Sequence, residues 1–137
     1  LIASIEDRFE ALGLPRSHAY HAQLVRYQPK QAYGSHVDCA TGAGGGQLPD
    51  GRHHLRRRQL NDRAATVLIY LTDVAQGGET TFTKLDLSVR PRKGSALIWS
   101  NLDDNYECNF LTDHLSQPVQ GDGVKYIYQR WSVCYLL

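Results

Sequence analysis

After one opening helix, the chain breaks into short runs of β-branched and aromatic residues bounded by Gly, Pro, Asn or Asp. They are Leu24 to Tyr27, Thr66 to Leu71, Leu87 to Val89, Ala96 to Trp99 and Val124 to Val133. Such side chains fit a pleated, half-buried surface, so each run reads as a strand. Strands that follow a single helix, with turn residues between them, point to a mainly antiparallel sandwich or barrel and exclude alternating βαβ units. The helix itself spans residues 1 to 12. It sets Ile2, Ile5, Phe9 and Leu12 on one side, and Gly13 and Pro15 end it.

With 137 residues the chain falls in the usual range for one domain with one core, here 1–137. It opens on Leu1 without a targeting segment, and a fragment of a longer chain is the expectation. Because only 42% of residues are hydrophobic, the longest apolar runs fall far short of the roughly 20 residues that cross a bilayer. The formal charge of +1 hides a basic stretch, Arg52, Arg56, Arg57, Arg58 and Arg63 with His53 and His54. That stretch ends a long irregular segment between Asp38 and Ala64, rich in glycine at 42, 44, 45 and 46. A mobile loop over residues 39–62, closing over substrate, is the expected reading. Cys39, Cys108 and Cys134 are too few and too scattered for a disulfide framework, and Cys39 and Cys108 are expected as free thiols.

The sharpest local feature is His36-Val37-Asp38. Residues i and i+2 of a strand share a face, so an imidazole and a carboxylate could meet one ion. A 2-His-1-carboxylate triad, the mark of non-haem iron oxygenases, needs one more histidine. His18 and His21 precede the first strand, where solvated or capping roles are ordinary, and His53 and His54 sit in the basic stretch. His114 opens a segment, His114-Leu115-Ser116-Gln117-Pro118-Val119, followed by a long strand carrying Lys125.

These segments recur in order as a family pattern. Leu24-Val25-Arg26-Tyr27, then Tyr33 and the His36/Asp38 pair, resemble the opening of the prolyl 4-hydroxylase catalytic domain, a branch of the 2-oxoglutarate dioxygenases. Ala65 to Leu71 and Gly77-Gly78-Glu79-Thr80 are similar to its central strand and "GGET" turn, and Pro91 to Trp99 to its following strand. His114 to Val119 resembles its distal-histidine segment, and Lys125 to Trp131 its lysine-bearing strand.

The resemblance implies a double-stranded β-helix (jelly-roll) core behind a packed N-terminal helix. It implies Fe(II) on His36, Asp38 and His114, with 2-oxoglutarate and O2 as cosubstrates and ascorbate as reductant. Lys125 would neutralise the remote carboxylate of 2-oxoglutarate, with Tyr27 and Thr80 completing its hydrogen bonds. Tyr70 would either touch that carboxylate or belong to the core. Tyr33, Arg63 and Trp131 would line the groove for a peptidyl proline. Arg63 and Tyr70 are an odd number of residues apart, so without a bulge they face opposite sides, and Arg63 is preferred as the substrate contact. The family often carries a histidine two residues beyond the tryptophan, and this chain has Val133 there. The implied partner is a proline-containing peptide in the endoplasmic reticulum lumen. Nucleic acid is not expected, although a demethylase of the same chemistry would account for the arginines. A catalytically silent proline-peptide module is a third reading, and the intact ligand set argues against it.

Overall fold

The computed structural model describes residues 2–39, 63–105 and 107–133. Helix α1 (Ile2–Ala11) and a 3-10 turn (Arg16–His18) lead into β1 (Ala19–Tyr27) and β2 (Tyr33–His36). Then come β3 (Arg63–Tyr70), β4 (Thr80–Phe82), β5 (Leu87–Val89), β6 (Ala96–Ser100), a second 3-10 turn (Phe110–Thr112), β7 (His114–Ser116) and β8 (Lys125–Val133). The strands form two four-stranded sheets, ordered β1-β8-β3-β6 and β2-β7-β4-β5, with antiparallel pairing. This is the expected jelly-roll, mostly strand with one helix. No helix among the described residues is long and apolar enough to cross a membrane. The segment 40–62, including the proposed lid and its arginines, lies outside the described residues, as does Cys134.

Two cores follow from the alternation of the large sheet. Val67 and Tyr128 point outward and meet Phe9 of α1, while Leu68, Tyr70 and Ile127 point between the sheets. The helix docks less fully than its apolar pattern suggests: Phe9 is 3% exposed, yet Ile2 and Leu12 are 55% and 68% exposed. Polar contacts supply the rest. Buried Arg130 meets Glu6 at 2.5 Å and donates to the carbonyls of Leu14 and Pro15, and the Tyr128 hydroxyl donates to Glu6 at 2.6 Å. Gly13 ends the helix at φ +79°, in the left-handed region that glycine enters without strain.

β1 begins five residues before the apolar run that signals it, because its backbone pairs with β8 from Ala19 to Tyr27 whatever the side chains. Cys39 and Cys108 are not free thiols. They form a disulfide across 69 residues of sequence, with Cα atoms 5.8 Å apart, and both are buried. Spacing gave no hint of it, since the fold alone brings the turn after β2 to the Leu102↔Cys108 bridge.

Closing so long a loop restricts the unfolded chain strongly. Replacing both cysteines with Ala should therefore lower the free energy of unfolding by about 2–4 kcal/mol. Urea unfolding without reductant checks this, and equal midpoints for the two proteins would mean that the bridge does not form in solution.

Candidate active site

Between the sheets lies a cavity of about 430 Å³ whose wall is drawn from both. Strand β8 contributes Lys125, Ile127, Gln129 and Trp131, every second residue, and β1 contributes Gln23, Val25 and Tyr27. The pairing Tyr27↔Lys125, Val25↔Ile127 and Gln23↔Gln129 shows why these two sets share one face. From the small sheet, β7 supplies His114 and Ser116, again two apart.

At one end His36, Asp38 and His114 offer ligand atoms that all lie within 4.8 Å of one another. The His36 Nε2 is 3.4 Å from Asp38 Oδ1, and the His114 Nε2 is 3.9 Å from Asp38 Oδ2. Asp38 is not on a strand with His36, as i and i+2 alternation would have it. His36 ends β2 and Asp38 lies in the bend beyond. What brings the two histidines together is the register His36↔His114 across β2 and β7. Each imidazole is tethered through Nδ1 to a carbonyl two residues before it, Gly34 for His36 and Thr112 for His114, both at 2.9 Å. A carbonyl can only accept, so Nδ1 carries a proton and Nε2 is the nitrogen turned to Asp38 and the site. Phe82 and Trp99 pack around the His114 ring, 5.6 and 4.9 Å between centroids.

The electrostatics suit a cation. Burial holds the His114 pKa below its usual value, so the ring is neutral. Burial also pulls His36 down, but its hydrogen bonds to Asp38 and Gly34 outweigh this and leave it raised. Asp38 is buried, which alone would raise it. Hydrogen bonds from His36 and Thr66 prevail, and its carboxyl is held below the ordinary carboxylate range.

Lys125 occupies another part of the cavity, 1% exposed. Its Nζ donates to the Gly78 carbonyl at 2.8 Å and to Ser116 Oγ at 2.7 Å, and lies 4.9 Å from the Tyr27 ring centroid. Among the described residues no carboxylate forms an ion pair with it. Burial therefore depresses its pKa to about 8. The "GGET" turn makes this contact possible. A Cβ at Gly77 would sit 2.2 Å from the Pro118 carbonyl, so only glycine lets the turn pack there and aim the Gly78 carbonyl at the ammonium. Thr80 faces the cavity, whereas Tyr70 is fully buried behind it and donates to Thr80 Oγ1 at 2.7 Å. Tyr70 thus backs the cavity through Thr80, and its ring centroid lies 5.7 Å from the Lys125 ammonium.

Tyr33, Arg63 and Trp131 all line the cavity, with the Arg63 guanidinium 4.1 Å over the Trp131 ring. The parity argument that set Arg63 and Tyr70 on opposite sides fails. A register shift between Arg63 and Ala65 inserts one residue and turns Arg63 to the inner face with Tyr70. Four polar residues escaped the sequence reading. Thr66 and Gln129 both donate to Asp38 Oδ2, Asn101 bonds Thr66, and Ser116 holds Lys125. Their one visible signal was parity: Thr66 shares a strand face with Leu68, and Gln129 with Lys125.

Residues 22–134 match the 2OG-Fe(II) oxygenase superfamily. The chain belongs to that superfamily. Among curated relatives of this oxygenase, the prolyl 4-hydroxylase subunit alpha-1 of Rattus norvegicus is 33% identical over 96% of the chain. The probable prolyl 4-hydroxylase 9 of Arabidopsis thaliana is 30% identical over 88%. The chain spans 23% and 43% of their respective lengths. A viral collagen prolyl hydroxylase from Paramecium bursaria Chlorella virus-1, solved as a 2OG complex, shares the fold. Its TM-score is 0.69 at 23% identity, covering 96% of this chain and 71% of that one.

Two tethered imidazoles and one carboxylate, converging beside an open cavity, fit the Fe(II) that defines the superfamily. The cavity's depressed lysine gives the oxygenase a pH signature of its own. With a folded pKa near 8 and an ordinary value of 10.5, the unfolded chain binds more protons between those limits. This lysine's cost to stability is thus fully present below about pH 8 and is relieved as pH rises towards 10.5. Lys125→Met removes the cost. Its melting temperature relative to the natural protein should be highest below pH 8 and fall steadily as pH rises to 10.5. A difference that does not vary with pH would contradict the depressed pKa.

Proposed function

We propose that this oxygenase hydroxylates prolyl residues of a peptide or protein, with 2-oxoglutarate and O2 as cosubstrates and succinate and CO2 as co-products. In the balanced reaction one oxygen atom enters the prolyl C–H bond and the other ends in succinate. The observation that carries the reading is Lys125, a buried ammonium without a carboxylate partner among the described residues, in the cavity that also holds His36, Asp38 and His114. A buried cation of that kind calls for an anion from outside the chain. The remote carboxylate of 2-oxoglutarate supplies it, and the hydroxyls of Thr80 and Tyr27 complete its hydrogen bonds, with Tyr70 orienting Thr80.

His36, Asp38 and His114 would hold Fe(II), which supplies the open positions for cosubstrate and O2 and the redox chemistry that drives hydroxylation. The chain's own part is to bind and orient. Lys125 fixes one end of the cosubstrate, and the apolar wall of Leu68 and Ile127 keeps water from it. Tyr33 and the stacked Arg63 and Trp131 form a flat, partly aromatic opening that suits a prolyl ring. The curated relatives' names support proline as the target. Ascorbate would serve as reductant. The Cys39–Cys108 disulfide favours an oxidising compartment, of which the endoplasmic reticulum lumen is our reading.

Mass spectrometry of proline-containing peptides after incubation with Fe(II) and 2-oxoglutarate tests the substrate. A gain of one oxygen on proline, matched by succinate, is expected; succinate release with no peptide modified would refute the prolyl assignment. Lys125→Ala tests the cosubstrate pocket. Truncating one partner of a buried pair costs about 3–5 kcal/mol, or roughly two to three and a half powers of ten in 2-oxoglutarate affinity. Metal binding should survive and Lys125→Arg should rescue in part, since its planar guanidinium restores charge but not shape. An unchanged KM for 2-oxoglutarate in Lys125→Ala would show that the carboxylate is held elsewhere. Arg130 is no substitute, because it faces α1 on the opposite side of the sheet.

A further inference from the structure

Behind the metal end of the cavity runs a chain of buried polar groups. Asn101, wholly buried in the bend just after β6, donates through Nδ2 to the Arg63 carbonyl at 3.0 Å and to Thr66 Oγ1 at 2.8 Å. The Arg63 carbonyl can only accept, which fixes the amide with its nitrogen on that side. Thr66 Oγ1 accepts from the amide nitrogen, and of the two acceptors in its own reach the charged Asp38 Oδ2 at 2.7 Å is nearer than Asn101 Oδ1 at 3.2 Å, so its proton goes to the carboxylate. Gln129 Nε2 reaches the same Oδ2 from β8 at 3.2 Å. A carboxylate oxygen with two donors has both lone pairs engaged. Asp38 Oδ1 is left as the atom turned to His36. Covalent and backbone links close the ring: Cys39, next to Asp38, is bridged to Cys108, and the adjoining Asn109 N–H donates to the Asn101 carbonyl at 2.8 Å.

We propose that Thr66, Asn101 and Gln129 are positioning residues: they occupy Asp38 Oδ2 so that Oδ1 alone is presented to the metal. Asn101 also sets the Arg63 side of the substrate opening. Its amide holds the Arg63 carbonyl, and its backbone N–H holds the Ala64 carbonyl at 2.8 Å, which are the two residues at the register shift that turns Arg63 inward. One buried side chain thereby ties the metal carboxylate to the substrate wall. This rests on the reading of His36, Asp38 and His114 as the metal site.

The test is anaerobic Co(II) titration of the protein, read by affinity and by the visible absorption of the bound ion, which reports coordination geometry. Thr66→Val keeps the shape of the side chain and removes the hydroxyl, and should weaken Co(II) binding about 10- to 100-fold with an altered spectrum. Thr66→Ser, which retains the hydroxyl, should restore both. Gln129→Leu should act in the same direction and, lying on the cavity wall, carries the test if Thr66→Val fails to fold. Asn101→Ala should weaken Co(II) binding and raise the KM for peptide together. Folded Thr66→Val and Gln129→Leu proteins with unchanged affinity and spectrum would overturn the inference. If instead the natural protein bound no Co(II), or His114→Ala bound it equally well, the underlying reading of the metal site would fail.

Discussion

Strand β8 lies between β1 and β3, and the alternation of its nine residues divides the molecule into a chemical side and a structural side. Lys125, Ile127, Gln129 and Trp131 enter the cavity, while Tyr128 and Arg130 lock α1 to the sheet through Glu6. A slip of one residue in its register would exchange the two sets, taking the lysine out of the cavity and leaving Arg130 without the helix. The pairing over Tyr27↔Lys125 on one flank and Tyr70↔Ile127 on the other prevents this.

The small sheet gains its order from that frame. Its strands of three and four residues are too short to be stable alone, and they carry two of the three proposed metal ligands. His36 and His114 meet because β2 and β7 pair at that position, and Asp38 joins them from a bend fixed by Thr66, Gln129 and the neighbouring disulfide. The site accepts a cost in return. Lys125 is buried without a carboxylate partner among the described residues, and burial depresses its pKa to about 8.

Sequence showed the architecture where strands are long or apolar. The runs in β3, β5, β6 and β8 were legible to within a few residues. Burial demands apolar side chains in β3 and β8, whereas β5 and β6 are largely exposed and show through their β-branched, leucine and aromatic residues between turn residues. β4 and the polar first half of β1 left no such pattern, since backbone pairing is indifferent to them. Motif order pointed to His36, Asp38, His114 and Lys125, which the fold gathers around one cavity. It could not reveal Thr66, Asn101 or Gln129. Uncharged hydrogen-bonding residues look alike on any strand until a carboxylate is seen beside them. Nor could it reveal the bulge at Arg63 or the Cys39–Cys108 bridge, which depend on contacts between distant segments.

The central claim is that one cavity holds a metal on His36, Asp38 and His114 and the far carboxylate of 2-oxoglutarate on Lys125. A crystal structure of the protein with Mn(II), a redox-stable stand-in for Fe(II), and 2-oxoglutarate measures this directly, since anomalous scattering locates the metal independently of the protein. The account predicts one anomalous peak bound by the two Nε2 atoms and Asp38 Oδ1, with the distal carboxylate against the Lys125 ammonium. A metal bound away from these three residues, or a distal carboxylate turned to Arg63, would contradict it.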